Sequence, residues 1–134
     1  MLKLAVKAAR LGEHLGYDDA RPPADRILVG TKFVKSYKGS QLAKDLRRVL
    51  NPGFLAYEAV PYALSLAYGI PNAKEVILGA VNQGGDADSI ASMAGSVAAA
   101  LYPDSLTQKW VKEVENANNL NLSNGATKLA KLRQ

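Results

Sequence analysis

The sequence predicts an all-α protein, an orthogonal helical bundle, and three observations carry that expectation. Apolar residues recur at intervals of three and four along most of the chain. Alternation with period two never runs beyond a few residues, so no strand pattern competes. Gly, Pro and capping residues fall where helices of ordinary length would begin and end. At 134 residues the chain can bury a sizeable core, and 48% apolar against 22% charged side chains is the balance of a globular protein. Nothing in it reads as a repeat, a heptad array or a low-complexity linker, so residues 1–134 read as one helical domain.

Taken in order, Leu4, Ala8, Leu11 and Leu15 form one apolar stripe, ended by Gly16. Pro22-Pro23 can open a second helix, since a proline at the first helical position lacks only an N–H that would go unpaired anyway. That helix carries Ile27, Leu28, Phe33, Val34 and Tyr37 and stops at Gly39. Ser40 is an N-cap candidate for a third helix through Leu50, broken by Asn51-Pro52-Gly53. The fourth is expected from about Glu58 or Pro61 to Tyr68, closing at Gly69. Asn72-x-x-Glu75 has the form of a capping box and starts a helix ending at Val81. Ile90, Met93, Ala94, Val97, Ala98 and Leu101 then lie on one helix face. Small residues at 91, 92, 95, 96, 99 and 100 fill most of its remaining surface, which predicts a central helix with neighbours on more than one side. Tyr102-Pro103 interrupts it. Ser105-x-x-Gln108 is a second capping-box candidate, leading into Leu106, Trp110, Val111, Val114 and Ala117. The asparagine-rich stretch 116–124 reads as a loop before a short helix over 126–132.

Composition excludes several functions. With no cysteine, neither disulfides nor thiolate metal sites are available. There is no run of eighteen apolar residues and no secretory pattern at Met1-Leu2-Lys3, so the expectation is a cytoplasmic protein away from the membrane. The net charge of +5 is unevenly spread: residues 1–50 carry +6, residues 51–108 carry −4 and residues 109–134 carry +3. A basic first third can attract phosphates. However, Lys3, Lys7 and Arg10 recur at i, i+4 and i+7, which is the wet face of an amphipathic helix, and Phe33 and Tyr37 are four apart and share a stripe. Nucleic acid is therefore not the expected partner. His14, the sole histidine, lies on the polar flank of the first helix with no nucleophile-elbow sequence to serve, and reads as a surface residue.

The acidic middle holds the one stretch with specific chemistry, Gly84-Gly85-Asp86-Ala87-Asp88-Ser89. Two glycines permit a tight reversal with left-handed backbone and leave the main chain open to close approach. Asp86, Asp88 and Ser89 then gather three oxygen-bearing side chains at a helix N-terminus. Such donors suit a hard cation such as Mg²⁺ or Ca²⁺, and a negative pocket would favour one. The same residues also satisfy a simpler reading: Asp86 as N-cap, Asp88 as a dipole-stabilising carboxylate, and Ser89 as a solvated hydroxyl. If the helix is central, the acidic cluster is expected in a crevice.

This stretch resembles the C-terminal metal-binding signature of the ADP-ribosylglycohydrolases, a Gly-Gly-Asp-x-Asp-Thr turn leading into an alanine- and glycine-rich helix. The resemblance runs upstream through Gly53-Phe54-Leu55-Ala56-Tyr57-Glu58-Ala59-Val60-Pro61-Tyr62-Ala63-Leu64, which is similar to that family's Glu-x-x-Pro-x-Ala-Leu helix start, and downstream to Trp110, so that roughly residues 50–118 are covered. It implies the C-terminal half of a helical bundle of that type. It also implies hydrolysis of the glycosidic bond between ADP-ribose and an acceptor side chain, assisted by two magnesium ions. Asp86, Asp88 and Ser89 fall on metal-ligand positions, and Gly84 and Gly85 on the substrate-facing turn.

Two departures qualify the resemblance. Ser89 replaces the usual threonine, which keeps the hydroxyl and loses the methyl that restricts its rotamer. The family's N-terminal part, with a catalytic Glu and a Thr-Asp-Asp run, has no equivalent here; Tyr17-Asp18-Asp19-Ala20 has paired acids without the threonines and reads as a turn. No catalytic residue is assigned. The expected partners are ADP-ribose or an ADP-ribosylated protein, with a complementary N-terminal half or self-association completing the fold. A non-catalytic binding or structural member of the fold, and a basic helical nucleic-acid module, are the alternative readings.

Overall fold

The computed structural model describes residues 1–15, 22–37 and 41–132. Among them are eight α-helices, one 3-10 turn and no strand: α1 Leu2–Glu13, α2 Pro23–Ser36, α3 Leu42–Val49, α4 Ala56–Gly69, α5 Ala73–Val81, α6 Ala87–Leu101, the 3-10 turn Pro103–Ser105, α7 Gln108–Asn118 and α8 Leu122–Lys131. The all-α expectation holds. The expected stops at Gly16 and Gly39, the Ser40 cap and the Tyr17-Asp18-Asp19-Ala20 turn lie outside the described residues.

The core lies where α4 packs against α2 and α6, and α6 against α5. Leu46, Leu50, Tyr62, Leu66, Val76 and Ile90 are fully buried there, among Ala63, Ala67, Ala73, Ala94 and Ala98. So many alanines bring the helix axes close, and at two crossings even a methyl group is too much. A Cβ on Gly30 would overlap the Ser65 hydroxyl, and one on Gly95 would come within 2.6 Å of Ile77. The buried hydroxyls of Thr31 and Ser65 donate to the carbonyls of Ile27 and Pro61 one turn back, so neither is left unpaired. Helix α6 has neighbours on two sides, as its small residues predict; Ser92 and Ser96 remain exposed on a third.

Several boundaries differ from expectation for identifiable reasons. Helix α4 begins at Ala56, because Glu58 at its third position accepts the Leu55 N–H through its carboxylate. Pro61 therefore falls inside the helix. Its missing N–H orphans the Tyr57 carbonyl, and the Arg26 side chain of α2 donates to that carbonyl at 2.7 Å. Ser105 does not cap α7: its hydroxyl bonds the Tyr102 carbonyl and accepts from Ala73 N–H, and Thr107 is the N-cap instead. Of the box at α5, the Asn72 half forms, accepting from Glu75 N–H. The asparagine-rich stretch is mostly helical. Only residues 119–121 separate α7 from α8, and Asn119 makes the break in the left-handed conformation (φ 51°) that asparagine tolerates.

The first helix departs furthest. The stripe Leu4, Ala8, Leu11 and Leu15 faces solvent, and α1 rests on α2 through half-buried Leu2, Ala5, Val6 and Ala9. Glu13 pins its end by accepting the Ala24 N–H. Leu28 of α2 is likewise exposed.

Candidate functional site

The site residues are placed by the meeting of two loops, the α3–α4 turn and the α5–α6 turn. Helix α5 ends at Val81, and the guanidinium of Arg47 on α3 donates to the carbonyl of Gln83 just beyond it. Gly84 and Gly85 follow with φ of 68° and 72°, two consecutive left-handed residues that reverse the chain. Only glycine adopts such a pair without strain. The two are needed for different reasons. A Cβ on Gly84 would find open space, with Arg47 3.8 Å away, whereas one on Gly85 would overlap the Pro52 carbonyl oxygen. That carbonyl accepts the Asp86 N–H at 3.4 Å, so Pro52 serves as the stop against which the turn is seated.

The seat is itself braced. Glu58 accepts from Leu55 N–H and from the Asn51 side chain at 3.5 Å, and its carboxylate fills the space that Gly53 leaves open. This places Glu58 at a helix start, as the motif implies, with its oxygens engaged in holding the loop.

Helix α6 then begins at Ala87 with Asp86 as N-cap residue. Asp86 does not cap in the ordinary way: its carboxylate accepts no helix N–H, and instead takes the Ser89 hydroxyl proton at Oδ1, 2.9 Å away. Asp86 thus occupies the N-cap position, as the simpler reading has it, with its carboxylate bonded to the Ser89 hydroxyl in place of a helix N–H. Its carboxylate and the Ser89 hydroxyl share one locus, with Asp88 in the same first turn where the helix dipole favours negative charge. Asp86 is half-buried, and Asp88, Ser89, Gly84 and Gly85 are exposed. The turn is thus open to solvent on this chain, and the expected crevice is not closed around it.

Two carboxylates and a hydroxyl are hard oxygen donors and fit part of a magnesium shell. Among the described residues, no three His, Cys, Asp or Glu side chains gather closely enough to hold a metal, so these donors are a partial set. Sequence reading missed Arg47 and Pro52, which fix where the turn sits. Both act through contacts distant in sequence, and the sole signal was a basic side chain on the predicted third helix. Trp110, singled out by motif, is half-buried beneath the Lys74 ammonium, 5.5 Å from its ring centre.

Comparison with known proteins extends the likeness beyond the central motif. A profile of the family described as ADP-ribosylglycohydrolase matches residues 3–134, upstream as well as downstream of the stretch that carries the resemblance. An uncharacterized protein of Escherichia coli (strain K12), YegU, is 34% identical over 116 residues, covering 83% of this chain and 34% of that protein. The chain thus spans about a third of the length of the curated relative it matches. No solved structure is a significant match. With nearly its whole length inside the profile and an all-helical fold, the chain belongs to the ADP-ribosylglycohydrolase family.

Proposed function

We propose that this chain carries the magnesium-binding element of a cytoplasmic hydrolase acting on the glycosidic bond between ADP-ribose and an acceptor side chain, with Asp86, Asp88 and Ser89 as metal ligands. The observation that carries the proposal is the carboxylate of Asp86, held at the N-cap with no helix N–H bonded to it and facing the Ser89 hydroxyl. A carboxylate that accepts one hydroxyl proton keeps further lone pairs for a cation. The exposed Gly84–Gly85 backbone offers a surface without side chains on which a ribose or phosphate group can approach closely. When bound, two magnesium ions would polarise the developing charge and lower the pKa of an attacking water.

Asp86, Asp88 and Ser89 bind and orient in this reading, and none of the three is free to move the proton while it holds a cation. Glu58, the nearest motif acid, is engaged by Leu55 N–H and Asn51. In isolation the chain is therefore expected to bind weakly and to release no ADP-ribose. A complementary segment would supply the remaining ligands and the catalytic acid. Calorimetric titration with Mg²⁺ should give weak binding that Asp88→Ala abolishes, and unchanged binding would remove the metal assignment. Free ADP-ribose produced from an ADP-ribosylated protein by the purified chain, detected by mass spectrometry and lost on Asp86→Ala, would show that a catalytic acid is present after all.

A further inference from the structure

The turn that carries Asp86, Asp88 and Ser89 takes its order from outside itself. Its reversal is made by Gly84 and Gly85, residues of the widest backbone freedom, and both are exposed. A magnesium ion accepts ligands only near octahedral positions, at about 2.0–2.1 Å. Whatever fixes the turn therefore decides how well its donors match the ion. Two contacts fix it, and they bracket the glycine pair. The Arg47 guanidinium donates to the Gln83 carbonyl just before the pair, and the Asp86 N–H just after it donates to the Pro52 carbonyl at 3.4 Å. Both anchors come from one segment, the end of α3 and the loop that follows.

The Pro52 carbonyl is aimed by residues further along. It shares one planar peptide with the Gly53 N–H, so it turns wherever Gly53 turns. Pro52 and Gly53 are buried, and the Glu58 carboxylate occupies the space that a Gly53 side chain would take. One oxygen of the same carboxylate accepts from Leu55 N–H at 3.4 Å, and the other accepts from the Asn51 side chain at 3.5 Å. Glu58 thus spans the loop from before Pro52 to after it. Each bond is long and weak alone, and packing against Gly53 adds to both in restricting how the Pro52–Gly53 peptide lies.

We infer that Glu58 is a positioning residue for the Asp86–Asp88 turn. It fixes the Gly53 peptide, the peptide aims the Pro52 carbonyl, and the carbonyl seats the Asp86 N–H, while Arg47 holds the other flank of the turn. This role rests on the proposal that the turn holds magnesium, and it names the support that the ligands need. Glu58 acts by shape and hydrogen bonding, and its charge is not required. In Glu58→Gln the amide oxygen takes the Leu55 N–H, and Asn51, with its amide turned over, offers its own oxygen to the new N–H. Coupling of this kind is reciprocal, so a cation held at the turn steadies the 51–58 loop.

Amide spectra of the full chain read both ends of this relay. Mg²⁺ titration followed at the Gly85 and Asp86 amides should give an affinity at least about tenfold below the unsubstituted chain in Glu58→Ala, and one close to it in Glu58→Gln. Hydrogen exchange at the Asp86 N–H without metal should quicken in Glu58→Ala and not in Glu58→Gln, with helical circular dichroism unchanged in both. Gly53→Ala drives a methyl group into the carboxylate without altering α4, and so tests the relay even where Glu58→Ala does not fold. It should weaken Mg²⁺ binding alone and add nothing once Glu58→Ala has cleared the space. Equal losses in Glu58→Gln and Glu58→Ala would reveal an effect of charge and overturn the inference, as would additive losses in the double variant. Mg²⁺ bound alike by the unsubstituted chain and Glu58→Ala would also overturn it and leave the magnesium site standing. No Mg²⁺ bound by any chain, with Asp86 exchange still quickened by Glu58→Ala, would remove the magnesium site and support the relay.

Discussion

Helices α2, α4, α5 and α6 and the terminal helices α1, α7 and α8 are equally regular, yet they bury different amounts. The inner four supply most of the fully buried side chains, whereas α1, α7 and α8 contain none. Both groups show helical periodicity and capping, so regularity is no measure of how much a helix contributes to stability. What distinguishes the groups is residue size. The inner helices meet through Ala, Gly and Ser, which let several neighbours approach at once, whereas α1 and α8 carry exposed leucines beside lysines and α7 carries Trp110, Val111 and Val114 among its lysines.

The sharpest way to break this comparison is to remove one leucine from each group. Leu66→Ala should destabilise the chain by about 2–5 kcal/mol, because the side chain is fully buried in the core cluster and its removal leaves a void. Leu129→Ala on α8 should stay within about 0.5 kcal/mol, both measured by urea unfolding. Equal effects would mean that α8 is covered in solution. Next in size is the glycine pair, which sets a turn against the core. Gly85→Ala combines a left-handed backbone with overlap of the Pro52 carbonyl and should cost about 3 kcal/mol or more. Gly84→Ala, with the backbone term alone, should cost about 1–2 kcal/mol.

A smaller effect separates the groups by pH. Tyr62 is fully buried and donates to the Ala43 carbonyl at 2.8 Å, and burial pushes its phenol well above the ordinary tyrosine value. A proton held more tightly in the folded state stabilises it below the unfolded value of about 10, and this contribution is lost as pH climbs toward the folded value. Unfolding free energy should therefore fall above about pH 10. In Tyr62→Phe that alkaline decline should be shallower, with about 1 kcal/mol lost near neutrality from the missing hydrogen bond. The smallest expected effect is local: trypsin should cut at Lys128 and Lys131 of α8 before any site in α4–α6, with most helical signal retained.

How much of this was legible in the sequence follows the same division. Residues 72–101 could be read nearly to the residue, because Asn72, Gly84-Gly85 and Asp86 are local signals and the face of α6 is periodic over three turns. The stripe of α1 was read as a shared face, and the structure turns that face to solvent. Periodicity reports which residues point together and says nothing of what lies opposite. The candidate site divides likewise. Asp86 and Ser89 are three apart on one turn, so their meeting is local, whereas the braces from Arg47, Pro52 and Glu58 depend on how α3 and α4 return to the turn.

The bond from Arg26 to the Tyr57 carbonyl has a consequence for inheritance. Pro61 makes the vacancy and Arg26 fills it, so neither residue's worth is defined without the other. With Pro61 in place, losing the Arg26 head group strands a carbonyl in a half-buried helix turn, while in a lineage where Pro61 has given way to alanine the helix would serve that carbonyl itself. The two positions should therefore show epistasis: substitutions of Arg26 should be tolerated most readily where the proline is absent, and a double-mutant cycle between Arg26→Met and Pro61→Ala should depart from additivity. A helix defect of this kind ties the permissible histories of α2 and α4 together.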